Sequence, residues 1–216
     1  MTTERRFDAV LFDLLTALLD SQTLWDAVAG SEAEGRSWRA AYLRRTYETG
    51  AYRPYEALVA EAAAEVGLAP ALAGRLAASY GELQPWPEVR EVLGALRGDG
   101  VRLGIVTNCS EKLGATAVKC VGIPFDVLVT AERAGHYKPD PWPYRMALAE
   151  LELTADRCLF VAGSAFDLFG TSKVGLATYW HNRLGMLPPP NAPAALEHHT
   201  SLHPLLRLLS HPSAGQ

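Results

Sequence analysis

Residues 8–21 read Asp-Ala-Val-Leu-Phe-Asp-Leu-Leu-Thr-Ala-Leu-Leu-Asp-Ser, and this stretch decides the fold. The uninterrupted apolar run at residues 9–12 predicts a β-strand that is buried on both faces. Asp13 follows this run directly. Ligands of open parallel sheets bind at the carboxyl ends of the strands, so Asp13 is a candidate nucleophile or metal ligand. An Asp at the end of a strand can equally cap the following turn, and this stretch alone gives the two interpretations equal weight.

The segment that follows, residues 21–87, has helical rather than strand periodicity. Apolar residues recur there at three- and four-residue steps, and prolines and glycines interrupt the pattern at intervals. We therefore predict an all-helical insertion of about four helices. Trp25, Trp38 and Trp86 are expected to lie in the core of this insertion or at its contact with the rest of the chain.

From residue 88 onward, strand patterns alternate with helical patterns. Such alternation predicts an α/β fold in which crossover helices connect the strands of a parallel sheet. The predicted strands lie at residues 103–106, 125–129, 158–161 and 177–180. The prolines at residues 188–190 predict a surface loop, and residues 202–209 predict a closing helix.

Composition limits the partners and the compartment. The chain has 216 residues, a formal net charge of −4 and scattered basic residues, so we expect no nucleic-acid partner. Its three cysteines are widely spaced and include no Cys-x-x-Cys pair, which favours free thiols over a zinc site. No leader-like segment opens the chain and no apolar run is long enough to span a bilayer. We therefore expect a cytoplasmic protein with no membrane partner.

Polar side chains follow several of the predicted strands. Thr107 and Asn108 end one strand, Asp167 comes shortly after another, and Lys138 lies in a proline-rich loop. Because the carboxyl ends of parallel strands meet at one edge of a sheet, we expect these groups to converge on Asp13.

Each of these groups has a chemical role that it could fill. A carboxylate nucleophile needs a nearby cation to stay ionised and to attract an anionic substrate, and Lys138 could supply that cation. Thr107 and Asn108 offer a hydroxyl and an amide for hydrogen bonds to the substrate or to the nucleophile. Asp167 could orient Lys138 or position a water molecule.

The order of these residues resembles the motifs of the haloacid dehalogenase superfamily. The matching stretches are residues 12–21, 105–108, 137–141 and 161–167. The resemblance covers nearly the whole chain and implies a Rossmann-like parallel sheet with an inserted α-helical cap. It implies a catalytic core at residues 1–20 and 88–216 and a cap domain at residues 21–87.

Two positions separate this chain from the phosphatases that the resemblance also includes. Those enzymes carry a second Asp two positions after the nucleophile, where this chain has Leu15, which cannot protonate an alkoxide leaving group. They also carry an acid that helps to bind Mg²⁺, where this chain has Gly163. A metal held by Asp13 and Asp167 alone would bind weakly. A Mg²⁺-dependent phosphatase of a small metabolite remains the alternative.

A halide leaving group, by contrast, needs no proton. The resemblance to 2-haloacid dehalogenases extends to Arg39, which follows Trp38, to Tyr144, and to the stretch Trp-His-Asn-Arg at residues 180–183. In that branch the arginine corresponding to Arg39 meets the departing halide.

The resemblance also implies a mechanism. Asp13 would attack C2 of a small anionic 2-halo acid, and water near Asp167 and Lys138 would hydrolyse the resulting aspartyl ester. This reaction requires no cofactor. The resemblance also allows a homodimer formed through the cap.

The chain also departs from the dehalogenase pattern. The usual Gly-Thr of the first motif is Thr16-Ala17 here, so Thr16 would supply the missing hydroxyl from one position earlier. The Ser-Ser-Asn of the last motif is Ala162-Gly163-Ser164, so Ser164 is the remaining candidate for a contact with the substrate. Loss of one such donor can lower the rate ~10²-fold. A catalytically silent member that acts as a binding protein is therefore the third hypothesis.

Several of these residues have ordinary structural interpretations. Arg39 lies in an exposed-looking helical pattern and could be a solvated surface residue, and Tyr144 could pack against the core with its hydroxyl in water. Cys109 is expected to be a buried small hydrophobic residue rather than a reactive thiol. Ordinary surface positions are expected for His136, His198 and His199.

Overall fold

A computed structural model describes residues 5–210 of the chain. In that part, six parallel strands form one sheet in the order β3-β2-β1-β4-β5-β6. The strands are β1 (Ala9–Phe12), β2 (Arg102–Thr107), β3 (Val127–Thr130), β4 (Cys158–Ala162), β5 (Ala177–His181) and β6 (Glu197–His199). Because β1 lies between β2 and β4, all of its residues are buried. The predicted buried strand and parallel α/β sheet are confirmed.

Helices cover both faces of the sheet. They are α1 (Ser21–Ala29), α2 (Glu32–Thr49), α3 (Tyr55–Glu65), α4 (Leu72–Ala78), α5 (Val89–Gly98), α6 (Glu111–Val121), α7 (Ala131–Ala134), α8 (Pro141–Glu150), α9 (Asp167–Val174) and α10 (Pro204–Ser210). Alternate residues of β1 enter two separate cores, as strand geometry requires. Val10 and Phe12 belong to the core that contains α5 and α10, whereas Ala9 and Leu11 belong to the core that contains α8.

Two strands differ from the sequence prediction. The strand predicted at residues 125–129 begins only at Val127, because Asp126 closes a turn onto the start of β2 through two hydrogen bonds with the backbone of Leu103 (2.7 and 2.8 Å). The segment between the prolines and the closing helix is not simply a loop, since it contains β6, which extends the sheet beside β5. β6 is short and partly exposed, and its Glu-His-His sequence lacks an apolar pattern.

The helices α1–α4, which we call the cap helices, form the predicted insertion. Trp25 and Trp38 are buried between them, with ring centroids 4.7 Å apart in an edge-to-face arrangement. Trp38 Nε1 donates a hydrogen bond to the carbonyl of Val59 (2.8 Å), so the indole N–H is satisfied inside the cap. These aromatic residues therefore hold the cap helices together, as the sequence predicts.

Short antiparallel pairings attach the cap helices to the rest of the chain at two places. The first joins Leu19 to Pro85, where the chain enters and leaves the cap. The second joins Ala51 to His136, just before Lys138. The domain boundaries at residues 20/21 and 87/88 remain a prediction.

None of the helices within residues 5–210 is both long enough and apolar enough to cross a lipid bilayer. The cytoplasmic location remains a prediction.

Candidate active site

Asp13 lies at the carboxyl end of β1, where its N–H donates to the carbonyl of Val161 on β4 (2.9 Å). The chain then turns back, so that the N–H groups of Thr16 and Ala17 both donate to Asp13 Oδ2, at 3.0 and 3.2 Å. We call residues 14–17 the Asp13 loop. Asp13 therefore makes the turn-capping contact that the sequence left open, but it uses only one carboxylate oxygen to do so.

The ammonium group of Lys138 lies between two carboxylates. Its Nζ is 2.9 Å from Asp13 Oδ1 and 3.1 Å from Asp167 Oδ1, and the Lys138 side chain is only 5% exposed. Three residues that are far apart in the sequence thus form one buried cluster at the carboxyl edge of the sheet. This is the convergence that the strand-end positions predict.

Asn108 fixes the backbone that carries Lys138. Its side-chain oxygen accepts from the Lys138 N–H (2.7 Å), and its amide nitrogen donates to the Lys138 carbonyl (3.2 Å). Thr107 is buried, and its hydroxyl donates to the sulfur of Cys109 (3.3 Å). Cys109 is fully buried, and burial raises its thiol pKa to about 12, which confirms the expectation of an unreactive thiol.

Tyr144 forms a hydrogen bond with Asp167. The tyrosine is fully buried, and its hydroxyl donates to Asp167 Oδ1 at 2.6 Å. The alternative of a core tyrosine with its hydroxyl in water is therefore wrong. Tyr144 lies in the first turn of α8 and Asp167 begins α9, so the contact between these two helices brings the hydroxyl and the carboxylate together.

Burial alone would disfavour the charged form of every group in this cluster. At Asp13 the charge of Lys138 and the hydrogen bonds from Lys138 and the Asp13 loop outweigh burial, so the pKa of Asp13 lies below its usual value. At Lys138 the two carboxylates outweigh burial and raise the pKa. At Asp167 burial prevails, aided by the charge of Asp13, and the pKa lies above its usual value. Opposite shifts of two neighbouring carboxylates suit one for nucleophilic attack and the other for proton transfer.

Arg39 approaches the cluster from the cap. Its guanidinium donates to Thr16 Oγ1 (2.6 Å) and to Gln22 Oε1 (2.9 Å), and the residue is only 9% exposed. The interpretation of Arg39 as a solvated surface residue is wrong, although its helix neighbours Arg36 and Arg44 are exposed. Arg39 forms no ion pair with any carboxylate of the described residues, so its positive charge is available to an anion.

A cavity of about 70 Å³ separates Arg39 from the carboxylate cluster. Its floor includes Asp13, Thr107, Asn108, Lys138 and Asp167, and its roof includes Trp25, Arg39, Tyr42 and Tyr55. All of the candidate site residues except Tyr144 thus line one small, partly open cavity that contains charged groups from both the sheet edge and the cap. Tyr144 lies behind Asp167 and does not line the cavity.

One aromatic residue at this cavity was not predicted from the sequence. Tyr47 of α2 lines the cavity and stacks on Phe166, with ring centroids 4.4 Å apart. The only available signal was an aromatic residue in a helical pattern, which more often indicates a core position.

Comparison with known proteins agrees with this geometry. A model of the family described as haloacid dehalogenase-like hydrolases matches residues 7–171. The chain belongs to this family of hydrolases. Similar proteins include a haloacetate dehalogenase of Moraxella sp. (strain B), 28% identical over 84% of this chain and 88% of that protein. An (S)-2-haloacid dehalogenase of Pseudomonas putida is 28% identical over 82% of this chain and 87% of its own length.

Solved structures of dehalogenases have the same fold. The crystal structure of a dehalogenase with an intermediate complex superposes with a TM-score of 0.84 at 27% identity, and covers 96% of this chain and 99% of that chain. The Rossmann-like sheet with an inserted helical cap is therefore the fold of this haloacid dehalogenase-like hydrolase.

Close packing accounts for one departure from the family pattern. A Cβ atom placed on Gly163 would lie 2.4 Å from the backbone nitrogen of Ala17 and 2.5 Å from Cβ of Thr16. Any side chain at Gly163 would therefore displace the Asp13 loop. Thr16 has a side chain where the family pattern has glycine, and Gly163 makes room for it. The hydroxyl of Thr16 contacts Arg39 rather than Asp13.

The donor set does not fit a Mg²⁺ ion. Asp13 and Asp167 each direct Oδ1 at the Lys138 ammonium, so both of these oxygens already have a cationic partner. Within residues 5–210, no group of three or more His, Cys, Asp or Glu side chains is arranged to hold a metal ion.

Proposed function

We propose that this hydrolase cleaves the carbon–halogen bond of small 2-halo carboxylic acids, with Asp13 as the nucleophile. One observation carries the proposal. An Asp13 carboxylate that is held in its ionised form lines a small cavity, and the same cavity is lined by Arg39, a buried cation that has no carboxylate partner among residues 5–210. The names of the similar dehalogenases support this choice of substrate class.

The first step is nucleophilic displacement. Oδ2 of Asp13 is already bound by two backbone N–H groups, which suits it to become the carbonyl oxygen of an ester. Oδ1 then attacks C2, a carbon–oxygen bond forms, and the halide leaves with the electron pair of the carbon–halogen bond. Arg39 stabilises the negative charge that develops on the halogen.

The second step is hydrolysis of the aspartyl ester. Water attacks the carbonyl carbon of the Asp13 side chain, and Asp167, whose pKa lies above its usual value, accepts the proton. The N–H groups of Thr16 and Ala17 stabilise the oxyanion that forms on Oδ2. Collapse of this intermediate breaks the ester bond between the Asp13 carbonyl carbon and Oδ1. The proton held by Asp167 passes to the departing oxygen to give the 2-hydroxy acid, and the Asp13 carboxyl group loses its remaining proton to solvent and returns to the carboxylate.

The residue two positions after Asp13 favours a leaving group that needs no proton. Leu15 lines the cavity two positions after Asp13 and carries no acidic hydrogen. A halide leaves as a stable anion, whereas an alkoxide would require a general acid at such a position.

The test is product release from a panel of 2-chloro and 2-bromo acids and of phosphate esters, each assayed with Mg²⁺ and with a chelator. We expect halide release that survives the chelator and is lost in Asp13→Asn. Asp99→Asn, which changes an exposed residue far from the cavity, is the matched control and should retain full activity. Rapid quenching of the reaction with a 2-bromo acid should trap the aspartyl ester. The mass of the peptide that contains Asp13 should then be increased by the part of the acid that remains after bromide has left.

The other outcomes identify the alternatives. Phosphate release that requires Mg²⁺ would overturn the proposal in favour of a phosphatase. No product and no trapped ester with any compound of the panel would favour the catalytically silent binding protein. The homodimer remains a prediction, which light scattering of the purified protein tests.

A further inference from the structure

Two side chains from outside the Asp13 loop hold its backbone carbonyl groups. Trp86 Nε1 donates to the carbonyl of Thr16 at 2.9 Å, and His181 Nδ1 lies 2.8 Å from the carbonyl of Ala17. A carbonyl oxygen only accepts, so Nδ1 of His181 carries the hydrogen. The peptide group between Thr16 and Ala17 is therefore bound at both ends, by Trp86 at its oxygen and by Asp13 at its N–H.

Trp86 is itself held in place from two directions. Its backbone N–H donates to the carbonyl of Leu18 (3.0 Å), just beyond the Asp13 loop. The guanidinium of Arg183 lies over the indole, 5.2 Å from the ring centroid, and also donates to Glu88 (3.1 Å). The indole N–H is thus fixed by a backbone contact and by a partly buried ion pair.

His181 is fully buried at the carboxyl end of β5. Burial lowers its pKa, which keeps the ring neutral. The charged groups near it are Glu88, whose Oε1 lies 3.8 Å from Nε2, and Arg183. At 3.8 Å Glu88 does not form a hydrogen bond with the ring, so the bond to Ala17 is the contact that orients the imidazole.

We propose that Trp86 and His181 are positioning residues for the nucleophile. The inference rests on the proposed function, because it assigns to these residues the alignment of the N–H groups that bind Asp13. A hydrogen bond to the oxygen of a peptide polarises that peptide and strengthens its N–H as a donor. Trp86 thereby strengthens the N–H of Ala17 toward Asp13 Oδ2, and His181 fixes the next peptide of the chain.

The kinetic test separates positioning from substrate binding. Trp86→Phe removes the N–H but keeps a ring beneath Arg183, and His181→Leu removes the donor to Ala17. We expect each variant to lose ~10- to 100-fold in kcat, as is typical when the support of a catalytic group is removed, while KM changes less than about threefold. His181→Asn, whose amide can still donate, should restore part of kcat.

A second measurement does not depend on turnover. Amide hydrogen exchange at Thr16 and Ala17 should be at least about tenfold faster in Trp86→Phe and in His181→Leu than in the parent. Trp142→Phe and His203→Leu, which change exposed residues, are the matched controls and should leave this exchange unchanged. Urea unfolding of each variant identifies any general loss of stability.

The outcomes distinguish the two proposals. A parent protein that turns over no compound of the panel defeats the proposed function, yet the exchange experiment still tests whether the loop is held. Unchanged exchange together with unchanged kcat in both variants would overturn the positioning role. So would a loss of activity that appears only in KM, or exchange that rises equally throughout the protein.

Discussion

The floor and the roof of the cavity differ in whether their charged side chains have charged partners. On the floor, the buried Lys138 forms ion pairs with both Asp13 and Asp167. On the roof, the buried Arg39 is bound, among residues 5–210, by the uncharged oxygens of Thr16 and Gln22 and by no carboxylate. A buried charge without a counter-ion is costly, and a bound anion would offset that cost. The charged groups of the floor are thus paired before substrate binds, whereas Arg39 on the roof gains a counter-ion when an anionic substrate binds.

Removal of the floor cation should have the largest effect. In Lys138→Met, two carboxylates remain buried without a counter-ion, so we expect the pKa of Asp13 to rise and kcat/KM to fall ~10³-fold or more. We also expect the free energy of unfolding to fall by about 3–5 kcal/mol, as when a buried ion pair is broken. Steady-state kinetics and urea unfolding measure the two effects. Lys119→Met, at an exposed position of α6, should change neither.

Removal of the roof cation should cost less. We expect Arg39→Gln to lower kcat/KM ~10²-fold, because one stabilising group is lost while the Asp13 cluster remains intact. Halide or a small carboxylate should raise the melting temperature of the parent, since an anion that binds only the folded state stabilises it. That rise should disappear in Arg39→Gln and persist in Arg36→Gln, which changes an exposed arginine of the same helix. An anion effect of equal size in both variants would contradict this account of the roof.

The tight packing of the floor is tested at Gly163. A methyl group there collides with the Asp13 loop, so Gly163→Ala should lower the free energy of unfolding by about 1–3 kcal/mol. Gly74→Ala is the matched control, because that helical glycine has open space around it and alanine should stabilise the helix by about 1 kcal/mol. Urea unfolding compares the two variants. Equal stability of Gly163→Ala and the parent would show that the loop can move aside without cost.

The smallest effect is expected at the edge of the floor. Tyr144 donates to ionised Asp167 and so lowers its pKa, which burial has already raised. In Tyr144→Phe the pKa of Asp167 should rise further, so the acid limb of the activity profile should move to higher pH. At neutral pH the loss should stay within about tenfold, the cost of one hydrogen bond to a charged group. An acid limb that stays in place, or that moves to lower pH, would show that the ionisation of Asp167 does not determine the position of this limb.

The sequence predicts the floor better than the roof. Asp13 and Asp167 follow buried strands, and Lys138 lies in a proline-rich loop. A parallel sheet brings the carboxyl ends of its strands to one edge, whatever the packing of the other elements. The burial of Arg39 depends on how α2 packs against the Asp13 loop, and the helical pattern made it look exposed. Tyr47 was missed for the same reason, because its stacking on Phe166 exists only once the cap is docked.

Two further features left no readable pattern in the sequence. β6 is too short and too polar to show strand periodicity, and it forms because β5 offers an open edge. The hydrogen bonds of Trp86 and His181 go to backbone carbonyl groups, which carry no residue signature.

The order of strands in the sheet has a consequence for how the protein is made. Asp13 and Lys138 are 125 residues apart in the chain. β1 remains without neighbours until β2 has been synthesised, and it keeps one open edge until β4 follows. The contacts among α1, α2 and α3 are local, and local contacts form faster than distant ones. On the ribosome the cap helices can therefore pack while β1 is still exposed. A nascent chain halted before β2 would present an apolar strand with two open edges, which makes it a substrate for chaperones and a source of aggregation.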